Sequence, residues 1–237
     1  MFGTHGEKSI QRTISNKAIL LKKKGCFINS VWCNQGVQTL GDKIFAEICR
    51  NGRGWVFSPD EFSDLGDPRF VGMALTRMVA KGAIRRLARG LYDFPKTHPV
   101  IGMLAPSPDA IAKALVGRHN IRLLPSGAYA ANLLGLSEQV PAKIVFLTDG
   151  PSRTVRVGDQ EIRLKQTTPR TMGPAGRTSG LVIQALRHLG QEHVDDAVIQ
   201  TLKRKLSADD KKQLLTDLGY APGWVRAHLR AIAEGGS

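Results

Sequence analysis

Eight residues between positions 69 and 89 have side chains suited to contacting a nucleic acid. Six of them are arginine or lysine, whose cationic groups bind phosphate oxygens and the edges of guanine bases. Threonine and methionine add a hydroxyl and an apolar group, which also contact base edges. The candidate DNA-binding residues are Arg69, Met73, Thr76, Arg77, Lys81, Arg85, Arg86 and Arg89.

Residues 67–81 follow the period of a helix, and half of the candidates fall on one side of it. The apolar stripe of this helix consists of Val71, Ala74, Leu75, Met78 and Val79. At about 100° per residue, the opposite face carries Arg69, Gly72, Met73, Thr76, Arg77 and Ala80. Gly72 and Ala80 are small enough for the helix to approach a groove wall, and Arg77 is long enough to reach a guanine edge or a phosphate.

The elements around this helix have the order of a winged helix-turn-helix. The sequence predicts a helix over 39–51, a strand over 55–57, a brief helix opened by Ser58-Pro59, and the helix over 67–81. Two short strands around the turn at 88–90 then form a hairpin, whose arginines suit a wing lying along the DNA backbone or in the minor groove. Two other interpretations stay open. In one, these residues form only a solvated polar face; in the other, the winged helix is a protein-interaction module.

Other segments carry weaker signals for chemistry. The glycine-rich stretch 173–180 precedes a helix but lacks the lysine of a phosphate-binding loop, so helix capping by Thr178 or Ser179 is the simpler interpretation. Asp149 follows an apolar strand, but no second carboxylate lies near it in sequence, and a turn explains it. The six histidines show no paired ligand spacing. We therefore expect no enzyme activity, no metal and no cofactor.

The charge balance favours a polyanionic partner. The 237 residues carry 34 Lys+Arg and 20 Asp+Glu, a formal net charge of +14. An excess of this size is typical of proteins that bind nucleic acid and, less often, an anionic membrane surface. The excess is +5 over residues 1–36, +3 over 37–97 and +6 over 98–237, so charge alone does not locate the site. No apolar run is long enough to cross a membrane, and a cytoplasmic protein is expected.

Composition and periodicity divide the chain into three parts. Residues 1–36 have no sustained period and predict a flexible basic arm; alternatively, Val37 marks the start of translation and the preceding residues are not native. Residues 37–97 are the predicted winged helix-turn-helix, and 98–237 predict a mixed α/β domain with a helical C-terminal tail. That domain has predicted strands at 121–124, 143–147, 154–157 and 161–165, and helices at 108–116, 126–134, 178–189, 194–205, 207–218 and 222–232. The expected fold class is α+β.

Short motifs in both halves of the chain are distinctive enough to compare with known families. In the first half they are residues 57–59 (FSP), 65–66 (LG), 74–82 (ALTRMVAKG) and above all 84–95 (IRRLARGLYDFP). In the second half they are residues 124–136 (LPSGAYAANLLGL) and 146–153 (FLTDGPSR). Together they resemble the AbiEi-type antitoxins of bacterial type IV toxin–antitoxin, or abortive-infection, systems, over about residues 37–232.

The resemblance implies two activities in phage defence. The winged helix would bind double-stranded DNA at inverted repeats in the promoter of its own operon and repress transcription. Independently of the resemblance, a symmetric operator favours a homodimer on the DNA. The second domain would counteract a nucleotidyltransferase-type toxin, with or without direct contact. The alternative is a stand-alone winged-helix transcriptional regulator whose second domain senses a ligand or forms a dimer.

Overall fold

A computed structural model describes residues 39–234, which form nine α-helices and three small β-sheets. The chain divides into two compact units, the first ending at Pro106 and the second beginning at Ser107. The predicted α+β class is confirmed. The predicted basic arm, residues 1–36, lies outside the described residues. Among the described residues, no helix combines the length and the apolar character needed to cross a membrane.

The first unit combines two helices with a three-stranded sheet. Its elements are α1 (Leu40–Asn51), β1 (Val56–Phe57), a 3-10 turn (Pro59–Phe62), α2 (Pro68–Ala80), β2 (Arg85–Ala88) and β3 (Leu91–Asp93). The strands are antiparallel in the order β1-β3-β2. A capping box opens α1, because the Thr39 and Asp42 side chains each bond the other's backbone N–H.

Aromatic side chains fill the core of the first unit. Phe57 and Phe62 are fully buried, and their ring centroids lie 5.5 Å apart with an edge-to-face orientation. Trp55 packs on Phe57 at 4.6 Å. The brief helix predicted from Ser58 is instead a single 3-10 turn, and the Ser58 side chain makes no capping hydrogen bond. Proline at the first position and the buried Phe62 hold that turn in place.

The first unit extends beyond the predicted boundary at residue 97. Strand β4 (Thr97–His98) pairs with β5 (Gly102–Met103) in a separate two-stranded sheet. The guanidinium of Arg85 also donates a hydrogen bond to the Leu104 carbonyl at 3.1 Å. Residues 98–106 therefore belong with the first unit.

The second unit contains the remaining four strands and seven helices of the described residues. Its strands are β6 (Leu123–Ser126), β7 (Lys143–Thr148), β8 (Arg153–Val157) and β9 (Gln160–Gln166). Its helices are α3 (Pro108–Val116), α4 (Ala128–Leu133), α5 (Pro169–Met172), α6 (Thr178–Leu189), α7 (Asp196–Lys205), α8 (Ala208–Thr216) and α9 (Gly223–Glu234). Short 3-10 turns at Gln191–His193 and Leu218–Tyr220 connect the last helices.

The sheet of the second unit is mixed. Its strand order is β6-β7-β9-β8, with β7 and β9 parallel and the other neighbours antiparallel. Ile144, Phe146, Ile162 and Leu164 are buried on one face. A helical core of α4 and α6 to α9 includes Val182, Leu186, Leu202, Leu214, Val225 and Leu229. Each unit thus contains a hydrophobic core of its own.

Candidate nucleic-acid interface

One side of α2 is anchored in the core of the first unit. Val71, Leu75 and Met78 are buried and pack in the same cluster as the aromatic residues. At the start of the helix, the Asp67 side chain accepts a hydrogen bond from the Arg69 backbone N–H at 2.8 Å. Because its rotation is fixed in this way, α2 presents its opposite side to solvent.

The exposed side of α2 and strand β2 enclose a shallow depression of about 520 Å³. The depression is lined by Arg69, Gly72, Met73, Thr76, Arg77, Arg86 and Tyr92. Five of the eight predicted residues therefore lie around one concave surface. We call this set, Arg69, Met73, Thr76, Arg77 and Arg86, the basic surface.

Small and polar groups occupy the middle of the basic surface. The Thr76 hydroxyl donates to the Gly72 carbonyl at 2.8 Å, so its oxygen keeps a lone pair for an outside donor. A Cβ atom built on Gly72 would meet no atom within 4 Å. Glycine in a helix interior is destabilising by roughly 0.5–1 kcal/mol relative to alanine, and nothing that packs on Gly72 in the described structure explains its presence.

The hairpin supplies two further exposed arginines. Arg86 lies on β2 opposite Tyr92, and its Nε donates only a long 3.4 Å hydrogen bond to the Ala88 carbonyl. Arg89 lies in the turn between β2 and β3, beside Gly90, whose φ of +71° favours glycine. Arg89 is exposed but does not line the depression.

Arg85 has a different environment from the one predicted. Its Nε donates to Oδ1 of Asp93 at 3.0 Å and its Nη2 to Oδ2 at 2.5 Å, and the Asp93 side chain is only 2% exposed. These hydrogen bonds raise the pKa of Arg85 above its ordinary value. The guanidinium is held within the unit by a buried carboxylate, so we assign Arg85 a structural role rather than a DNA contact.

Lys81 lies at the end of α2, beside a second depression of about 550 Å³. Its lining includes Phe70, Met73 and Arg77 along α2 and Leu40 at the start of α1. Phe70 was not among the predicted residues, although the sequence contains a signal for it. Phe70 immediately precedes Val71, and one residue is a rotation of about 100° around the helix. Phe70 therefore lies off the apolar stripe, where a large aromatic side chain is unexpected.

Charges of opposite sign are separated along the first unit. Between Pro68 and Tyr92 there are six basic residues and no acidic one. The acidic residues at positions 42–67 precede α2, and Asp93 is engaged by Arg85. No acidic residue interrupts this run of cations in the sequence, so the exposed side of α2 and the hairpin favour an anionic partner.

The other segments with weaker chemical signals have structural explanations in the second unit. A Cβ atom on Gly180 would lie 2.4 Å from the Pro174 carbonyl oxygen, so the glycine permits close packing. The predicted cap by Thr178 or Ser179 is wrong, because Arg177 is the N-cap residue and makes no side-chain cap bond. The Ser179 hydroxyl instead donates to the buried Asp217, which also pairs with Arg177 at 2.9 Å.

Asp149, just after β7, links this strand to the start of β6 through hydrogen bonds with Arg122. Its two carboxylate oxygens accept from the backbone N–H and from Nε of Arg122, each at 2.8 Å. These hydrogen bonds from Arg122 lower the pKa of Asp149 below its usual range. The chain bends at residues 149–150, and the Asp149 carboxylate has a structural role there.

Comparison with known proteins gives one family. Residues 43–214 match the model of DUF6088, described as a family of unknown function. This range covers more than half of the chain and includes parts of both units. Curated proteins give no match to the chain.

Proposed function

The chain belongs to the DUF6088 family, and we propose that it is a DNA-binding antitoxin of a type IV toxin–antitoxin system. It binds double-stranded DNA at inverted repeats in the promoter of its own operon and represses transcription. It also counteracts a nucleotidyltransferase-type toxin. The observation that carries the DNA-binding part is the basic surface, whose residues on α2 and β2 line one shared depression.

The first unit is proposed to be a winged helix-turn-helix. In this assignment α1, the 3-10 turn and α2 are the three helical segments, β2 and β3 form the wing, and β1 closes the sheet. Helix α2 is then the recognition helix, because its exposed side is the one that projects polar and cationic side chains. The order β1-β3-β2, with every strand antiparallel, supports this assignment.

Each exposed cation of α2 and the hairpin, together with Lys81 at the helix end, has a proposed role. Arg77 lies in the last turn of α2 and reaches a guanine edge or a phosphate from the major groove. Arg69, Arg86 and Arg89 contact phosphates on either side, and Lys81 extends this set at the helix end. The open space over Gly72 supports close approach of a DNA backbone or groove wall to the helix.

The antitoxin part rests on the second unit and on the motifs that resemble AbiEi-type proteins. Residues 124–136 contribute most of β6 and all of α4, and residues 146–153 contribute the end of β7 and the bend at Asp149. Within these motifs Leu124, Tyr129 and Phe146 are buried, so the shared residues include those that build the core. A unit with its own core suits a separate task from DNA binding.

Two assays in one host strain test the proposed function. A reporter driven by the promoter of the protein's own gene measures repression, and co-expression with the product of the adjacent gene measures protection from toxicity. We expect wild type to repress and protect. Arg77→Ala should lose repression and keep protection, whereas Arg50→Ala, an exposed arginine on α1 paired with Glu47, should keep both.

The alternative of a stand-alone transcriptional regulator makes a different prediction. A protein that represses its promoter but never protects cells from the adjacent gene product is a regulator without antitoxin activity. A protein that neither represses nor binds duplex DNA contradicts the proposed function altogether.

A further inference from the structure

Two large apolar side chains are exposed on the first half of α2. Phe70 is 62% exposed and Met73 is 51% exposed. They are three residues apart and therefore neighbours on one helix face. The buried side of α2 is already complete without them, because Val71, Leu75 and Met78 fill the contact with the core. An apolar pair left outside a filled core is a candidate contact surface.

The surroundings of this pair indicate an anionic partner. Phe70 and Met73 line the second depression together with Arg77 and Lys81, and Arg69 is the residue next to Phe70 along the helix. Met73 and Arg77 also line the depression of the basic surface. The apolar pair is therefore continuous with the basic surface rather than a separate patch, and a partner seated on one meets the other.

Duplex DNA combines the two properties that this surface requires. Its phosphates complement the arginines and the lysine, while its major groove exposes an apolar group on a base edge, the 5-methyl group of thymine. An apolar protein partner would satisfy Phe70 and Met73, but it would leave Arg69 and Arg77 beside them unmatched unless it also carried an acidic rim.

We propose that Phe70 and Met73 read thymine methyl groups, so that the operator contains thymine at the position facing the first half of α2. This inference rests on the proposed function and adds a source of sequence preference to it. Arg77 supplies a hydrogen-bonded contact, and the Phe70–Met73 pair supplies an apolar one about one to two helical turns closer to the N-terminus of α2.

Replacement of thymine by uracil tests this proposal directly. Preferred sites are first selected from a random duplex library with the full chain, and each thymine is then changed to deoxyuridine, which keeps the base-pairing edge and lacks the methyl group. One or two positions should show binding that is about four-fold weaker, the effect expected when one methyl-sized group is no longer buried. Phe70→Ala and Met73→Ala should bind the thymine and uracil sites equally at those positions.

Leu215→Ala is the matched control, because Leu215 is an exposed apolar residue on α8. It should retain the full preference for thymine.

The proposal is overturned if replacing thymine by uracil weakens binding at no position, or if the preference for thymine persists in both α2 variants. A change of oligomeric state in Phe70→Ala with the thymine preference intact would also overturn it and assign the pair to a protein contact. Failure of the full chain to enrich any site or bind any duplex would instead contradict the proposed function on which the inference rests.

Discussion

Adjacent arginines on β2 have opposite environments. Arg85 binds the buried Asp93 through two hydrogen bonds, whereas Arg86 is exposed and lines the basic surface. The difference follows from strand geometry, since successive side chains point to opposite faces of a sheet. We therefore predict that Arg85 contributes to stability and Arg86 to the proposed DNA binding.

Arg85→Ala should destabilise the protein, while Arg86→Ala should not. Removing Arg85 leaves the Asp93 carboxylate buried without its partner, and we expect a decrease of about 2–4 kcal/mol in the free energy of unfolding. Chemical denaturation measures this decrease, and Arg85→Ala combined with Asp93→Asn should recover part of it. Arg86→Ala should unfold as wild type does and bind DNA more weakly. Equal stability of the two single variants would refute the assignment of Arg85.

The sequence predicted the face of α2 well and the role of Arg85 poorly. Helical periodicity places Arg69, Thr76 and Arg77 opposite the buried stripe, and the structure agrees. Charge and position in the hairpin could not separate Arg85 from Arg86, because the decisive partner, Asp93, lies across the strand pair. Phe70 was not predicted because, at about 100° per residue, it falls between the apolar stripe and the opposite face.

At the scale of elements, α2 must both pack into the core and present an open outer side. It is anchored by three buried residues, yet it contains a glycine on its outer side. The helix tolerates the lower propensity of Gly72 because tertiary packing supplies most of its stability.

Gly72→Ala should stabilise the protein and weaken DNA binding. Alanine raises helix propensity by roughly 0.5–1 kcal/mol, and its methyl group meets nothing in the described structure. In the complex, the same methyl group would lie between α2 and the DNA. Thermal unfolding and a binding titration measure the two effects. Gly223→Ala, at the start of α9 with equally open space, should leave DNA affinity unchanged, and unchanged affinity in Gly72→Ala would contradict the close approach.

The link between β6 and β7 should weaken in acid. The pKa of Asp149 is lowered by its hydrogen bonds from Arg122, so the charged form stabilises the fold above the unfolded value of about 3.9. This stability disappears as the pH falls through the folded pKa. Asp149→Asn should cost about 1 kcal/mol at pH 7 and progressively less below about pH 4. Asp159→Asn, an exposed residue between β8 and β9, is the control; a difference between Asp149→Asn and wild type that stays constant down to about pH 2 would rule out this account.

Local patterns predicted most strands and helices, but not how they assemble. The four strands of the second unit were all expected from short apolar runs. Their order was not, because the parallel pairing of β7 with β9 brings together strands separated by the intervening β8. The predicted boundary between the units, at residue 97, lies nine residues before the division that the structure gives, since the pairing of Thr97–His98 with Gly102–Met103 gives little hydrophobic signal in sequence.

The whole molecule combines two units with separate cores. Residues 39–106 and 107–237, produced separately, should each unfold cooperatively, because neither core depends on residues of the other. The first piece should bind DNA, and the second should protect cells from the toxin without repressing the promoter. Circular dichroism melts, a binding titration and the co-expression assay measure these outcomes. A second piece that folds yet gives no protection would assign neutralisation to the full chain.

The most direct test of the central claim is the salt dependence of DNA binding by the full chain. Arg77→Ala/Arg86→Ala/Arg89→Ala removes three cations from α2 and the hairpin, and Arg187→Ala/Arg204→Ala/Arg230→Ala removes three exposed cations from helices of the second unit. We expect the first variant to bind duplex DNA more weakly, with a log–log salt slope reduced by up to about 0.9 for each phosphate that the protein no longer neutralises. The second variant should bind as wild type does. Equal affinity and slope in the first variant and wild type would contradict the assignment of this surface to DNA.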